Sequence, residues 1–163
     1  MQRKIFFLLL ILLVLVPLLP AQKNKVDGTY MRKWLILGPF FPQDLEYDFL
    51  ADYDGEANIR PEAGDIVETK DGRQLTWTSY ESPSFRVNFI AAVGRYDAAT
   101  IYAFSYIDVD RDDNTRMLIG KDDGMATWIN GEKTYLNPRV SPPHLEIDSF
   151  EVNLKSGLNP CLV

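Results

Sequence analysis

"LIGKDDGMATWINGEKTYL", residues 118–136, carries two turn signals with a lone tryptophan between them. Asn130-Gly131 is the pair a type I′ turn demands, because both central residues of that turn take positive φ. It joins "MATWI" to "EKTYL" as a hairpin. Asp122-Asp123-Gly124 predicts a second turn just before it, since an Asp carboxylate accepts hydrogen bonds from nearby backbone N–H groups and Gly tolerates positive φ. Strand alternation puts Trp128 with Ala126 on one face and Thr127 with Ile129 on the other. Two readings of the stretch stand. In one, Trp128 fills a core and the polar residues serve the turns. In the other, Trp128 offers a flat apolar surface beside polar groups, as a stacked sugar ring requires.

Working outward from the two hairpin arms, five further segments read as strands: Lys33 to Gly38, Gln74 to Tyr80, Thr100 to Val109, Thr115 to Gly120 and Phe150 to Leu154. Each is rich in β-branched or aromatic residues and bounded by Gly, Pro, Asp or Asn. Thr100 to Val109 places Tyr102, Phe104 and Tyr106 on one face and Ile101, Ala103, Ser105 and Ile107 on the other, so neither face is polar. Such a strand belongs in the middle of a sheet covered on both sides. One short helix is predicted near residues 42–53, where Leu45, Phe49 and Leu50 recur at helical spacing. Residues 51–74, broken by Asp54-Gly55, Pro61, Gly64 and Asp71-Gly72, predict a long surface connection and a candidate rim for a site. With no helices between the strands, the pairing is antiparallel and the class is all-β, a two-sheet sandwich.

The chain opens with Arg3 and Lys4 ahead of an apolar run from Ile5 to Leu19, and Ala21 supplies a small residue for cleavage. That is the pattern of an export signal. Residues 1–21 are thus expected to be a signal peptide, 22–32 a short linker and 33–163 one β-domain, secreted or periplasmic. An uncleaved signal anchored in the membrane is the alternative. Removing Arg3 and Lys4 takes the formal charge from −6 to −8, which repels phosphate backbones and excludes nucleic acid as a partner. The single cysteine, Cys161, excludes an intramolecular disulfide framework.

Catalytic patterns are sparse. Asp108, Asp110 and Asp112 alternate as early calcium ligands would, yet Asp113 occupies the position an EF-hand gives to Gly and Ile119 the position it gives to Glu. They remain weak metal candidates for a calcium site assembled from distant loops, with a solvated acidic loop as the plainer reading. His144 is the only histidine and has no Ser or Cys nucleophile motif to serve. No other cofactor is expected, and an enzyme is the least favoured reading.

Four stretches together resemble a known family: "WLILGPF" (34–40), "LIGKDDGMATWINGEK" (118–133), Arg139, and "VNLKSGLNPCLV" (152–163). They are similar to galactose-binding-like jelly-roll domains of secreted, multidomain bacterial proteins. Trp34, Gly38, Pro39 and Phe40 match the opening motif; Gly120, Asp122, Asp123, Gly124, Trp128, Asn130 and Gly131 match the hairpin; Leu154, Lys155, Gly157 and Asn159 match the closing strand. Lys121 stands where the pattern usually has Ser. The resemblance implies a jelly-roll architecture. It also implies a last strand cut short, because the family's strand runs on past "NPCLV", and hence a domain at the front of a larger secreted or membrane-anchored protein. The functional expectation is a non-catalytic extracytoplasmic ligand-binding module, most plausibly for carbohydrate, with Asp122, Asp123, Trp128, Asn130 and Arg139 as candidate binding residues. The alternative is a structural or sensory module that binds no sugar and packs against a neighbouring domain.

Overall fold

The computed structural model describes residues 22–25, 30–139 and 146–163; the expected signal peptide and His144 lie outside the described residues. The strands are β1 (Lys23–Lys25), β2 (Lys33–Phe40), β3 (Ile66–Glu68), β4 (Gln74–Thr76), β5 (Thr78–Glu81), β6 (Thr100–Val109), β7 (Asp113–Lys121), β8 (Met125–Ile129), β9 (Glu132–Asn137), β10 (Glu146–Leu154) and β11 (Gly157–Leu162). Two short helices, α1 (Gly55–Asn58) and α2 (Phe89–Val93), complete the elements. The chain is all-β with antiparallel sheets, as its strand pattern predicts; β1, which lies parallel to β6 within the expected linker, is the exception.

The main sheet runs β5-β2-β6-β11-β8-β9, with β1 also on β6. Central placement of β6 follows from its two apolar faces. Tyr102 and Phe104 join Leu35, Leu37, Trp128 and Leu162 in one core. Ala103, Ile107 and Val109 join Trp34, Ile36, Ile129 and Cys161 in a second core on the opposite face. The first core is roofed by the chain between β2 and β5, which contributes Leu50, Ile59, Val67 and Trp77. The second is covered by the two-stranded β7–β10 sheet, through Val152 and Leu154, and by Phe89, Ala92 and Val93 of α2. The layers of this sandwich are therefore unequal: one broad sheet, one two-stranded sheet, and an irregular roof.

Three local expectations are corrected. The helix predicted near residues 42–53 does not form. Asp44 Oδ1 instead accepts from the Glu46 and Tyr47 N–H groups, and Asp48 Oδ1 from Leu50 N–H at 2.8 Å. These side-chain bonds satisfy backbone donors in turns and compete with the helical pattern. The helical residues are Gly55–Asn58 instead, and α2, which no periodicity announced, starts at Asn88, whose side chain accepts from Ala91 N–H. Residues 51–74 are not merely a surface connection, because Ile59 and Val67 are sealed into the core and β3 pairs with β4. Finally, the segment Gln74 to Tyr80 is two strands rather than one. It breaks at Trp77, whose N–H donates to Asp65 O and whose carbonyl accepts from Gly64 N–H, turning its indole into the roof.

Candidate functional site

The hairpin has the predicted turn, with φ of 53° at Asn130 and 84° at Gly131. Asn130 is also occupied. Its amide donates to Asn159 Oδ1 at 2.8 Å and to Asn153 O at 3.3 Å, and its N–H donates to Pro160 O. Asn159 is fully buried, with its own amide donating to the Lys155, Gly157 and Ile107 carbonyls and its oxygen accepting from Lys155 N–H. The two asparagines clamp the β8–β9 turn to the β10–β11 turn. This cluster is a reason for the fold, since every polar atom of Asn159 is paired away from water.

Trp128 is only 6% exposed, packed in the first core with Lys133 Nζ 4.7 Å above its ring. Its faces are covered, so it offers no plate for a stacked sugar. Asp122 and Asp123 are exposed on the β7–β8 turn, and Arg139 is exposed just beyond β9. Because Met125 pairs with Asn137, Arg139 lies at the same end of the hairpin as the two aspartates. Asn130 lies at the other end of β8, about 17 Å away at ~3.3 Å per residue. The structure thus brings three of the five candidates to one end and separates the other two from them.

The acidic loop candidates have local partners. Asp112 accepts from Ser156 N–H at 2.9 Å and from Lys155 Nζ at 3.1 Å, and these bonds hold its carboxyl below the usual range. Asp108 lies 3.5 Å from Lys23 Nζ, and the Asp110 carbonyl accepts from Ser156 Oγ. Among the described residues no group of three or more His, Cys, Asp or Glu side chains is placed to hold a metal ion.

Strand β11 lies between β6 and β8, pairing with them through Leu162, opposite Phe104 and Trp128, while Val163 exchanges two bonds with Ala103. A cleft beside Val163 is lined by Thr100, Ile101 and Tyr102 of β6 and by Met125 and Ala126 of β8.

On the first-core side the cleft is lined by a buried polar pair. Tyr102 Oη donates to Glu56 Oε1 at 2.6 Å, and Glu56 is 9% exposed. Burial raises the Glu56 pKa above its ordinary value, opposed by the Tyr102 bond; nearby Asp48 raises it further and Lys133 lowers it. Burial likewise pushes the Tyr102 hydroxyl well above the ordinary tyrosine range. Glu56 is held in place by α1 itself, where its N–H donates to Asp48 Oδ2. No sequence signal pointed to Glu56, which sits among turn residues; Tyr102 was marked only as part of one face of its strand. The enclosed part of the cleft is about 70 Å3, far below the ~300–1,000 Å3 of small-molecule sites.

No helix among the described residues is long and apolar enough to cross a membrane. Comparisons with protein-family models, curated proteins and solved structures found no match for the chain.

Proposed function

We propose that this chain is a non-catalytic, extracytoplasmic ligand-binding module, most plausibly for carbohydrate, with a structural or interaction module that binds no sugar as the second reading. The observation that carries the first reading is a pair of exposed aromatic rings, Phe41 and Tyr96, with the Arg73 guanidinium beside them. The export-signal pattern of residues 1–21 supports the extracytoplasmic setting.

The surface that favours carbohydrate is not at Trp128. Phe41 and Tyr96, 44% and 48% exposed, meet edge to face at 5.9 Å, and the Arg73 guanidinium lies 5.2 Å over the Phe41 ring. Exposed rings beside hydrogen-bond donors suit sugar stacking. Screening the chain against a random-peptide display library and a broad glycan array in parallel separates the two readings. Glycan binding that disappears in Tyr96→Ala, with no peptide enriched, is the expected result. Enrichment of peptides, with silence on the array, replaces the sugar binder with an interaction module.

A further inference from the structure

The exposed rings belong to a surface built from three segments of chain. Phe41 follows β2, Tyr96 lies between α2 and β6, and Arg73 stands at the end of the turn between β3 and β4. Gln43 N–H donates to Ala98 O at 3.0 Å and ties the first two segments together. Arg73 Nη1 donates to Pro39 O at 3.1 Å and ties in the third. Tyr96 rests on bare backbone, since a methyl placed on Gly94 would lie 3.3 Å from its Cε2.

Beside the rings the polar groups come as a fixed pair. The β3–β4 turn is closed by Thr69 N–H donating to Arg73 O and Gly72 N–H donating to Thr69 O, each at 2.8 Å. Within it Arg73 Nε donates to Asp71 Oδ2 at 2.8 Å, and Thr69 Oγ1 donates to Asp71 Oδ1. The bonds from Arg73 and Thr69 hold the Asp71 carboxyl below the usual range, so it stays ionised at neutral pH. Both side chains still reach solvent, 59% exposed for Asp71 and 36% for Arg73. A guanidinium has more donors, and a carboxylate more lone pairs, than these bonds use. An acceptor and a donor therefore stand side by side, and two neighbouring sugar hydroxyls, which both donate and accept, can bridge them.

Charge decides between neutral and acidic sugars. Arg73 is offset by Asp71, Lys70 of the same turn lies 4.8 Å over the Tyr47 ring, and Arg95 and Asp97 flank Tyr96 with opposite signs. Asp71 and the net charge of −6 repel a sugar carboxylate. Shape decides the linkage. Tyr96 and the Arg73 guanidinium both border Phe41, at 5.9 and 5.2 Å from its centroid, so the contacts are spread over more than one sugar unit. Equatorial linkages give a flat, extended chain with apolar C–H faces and hydroxyls along its edges, which can meet a ring and a polar pair together. Resting on the carbohydrate reading, we infer that this surface binds a neutral, β-1,4-linked hexose chain, one unit stacked on Tyr96 and an adjacent unit sharing two equatorial hydroxyls between Asp71 and Arg73.

The test is calorimetric titration of the full chain with cellotetraose and with its C6-oxidised uronate form, which share linkage and stereochemistry and differ at C6. Cellotetraose is expected to bind at least about tenfold more tightly than the uronate, a comparison that needs no variant. Arg73→Gln is expected to weaken cellotetraose about tenfold, the loss of a hydrogen bond from a charged donor. Asp71→Asn is expected to bring the two ligands within about threefold of each other, because the repelling charge is gone. Unchanged urea midpoints show that both variants fold. Equal or tighter binding of the uronate overturns the neutral ligand and leaves the carbohydrate reading standing. Cellotetraose binding that survives Arg73→Gln, and that keeps its preference over the uronate in Asp71→Asn, overturns the assigned hydroxyl contacts. Binding of neither tetrasaccharide, with other glycans bound on the array, overturns the ligand assigned to this surface; silence on the array as well overturns both.

Discussion

Strand β8 has two ends with opposite characters. At its Asn130 end, polar side chains are dense and closed: Asn130 and Asn159 spend their hydrogen bonds on the Asn153, Lys155, Gly157, Pro160 and Ile107 backbone. At its Met125 end the residues are plain: Met125 and Ala126 pair with Asn137 and Leu136 of β9 and line the cleft beside Val163. The polar end attracts attention in the sequence, yet its chemistry is consumed internally. The plain end, which nothing in the sequence marks, borders the buried Glu56–Tyr102 pair. Polar residues report function only when their bonds are not already made.

The sharpest way to break this contrast is Trp128→Ala. A buried indole should cost about 3–5 kcal/mol, read as a lowered urea midpoint; a loss under ~1 kcal/mol would return Trp128 to the surface and to ligand stacking. Asn159→Ala should cost about 3 kcal/mol, because it strips partners from several carbonyls and one N–H at once. Asn130→Ala should couple with it in a double-mutant cycle, whereas additive effects would separate the two turns. Gly131→Ala comes next, at about 1–3 kcal/mol. The position holds φ of 84°, and the added methyl would lie 2.9 Å from Ala57 O.

Smaller still is the pH effect of Glu56. Its pKa is raised by burial above that of an ordinary glutamate, so its contribution to stability is complete below the ordinary value and is lost as pH rises through the folded pKa. Glu56→Gln removes this loss. Urea midpoints of wild type and variant should diverge in the variant's favour from about pH 4 to pH 8; a constant difference across that range would mean that Glu56 is not desolvated in the fold. Asp122→Asn and Asp123→Asn, on an exposed turn, should leave the denaturation midpoint unchanged.

Much of the frame was legible because it depends on neighbours in sequence. The ten residues of β6 could be bounded and placed centrally from two apolar faces alone, and the Asn130-Gly131 turn from its φ requirement. The helix near residues 42–53 was misread because Leu45, Phe49 and Leu50 have helical spacing, whereas Asp44 and Asp48 bond locally to the backbone in between. The roof was underestimated for a related reason. A stretch of Gly, Pro and Asp turns reads as surface, but Ile59 and Val67 each seal a point on the core that no periodicity can announce.

What the sequence determined by itself was therefore the all-β class, the main strands, the hairpin turns and the acidic charge, all set by residue types acting within a few positions of one another. Only the tertiary structure decided that Trp128 is enclosed, that Asn159 is saturated, and that Glu56 meets Tyr102 from 46 residues away. Those outcomes depend on which distant segments become neighbours in the fold, and residue types acting within a few positions of one another do not specify that.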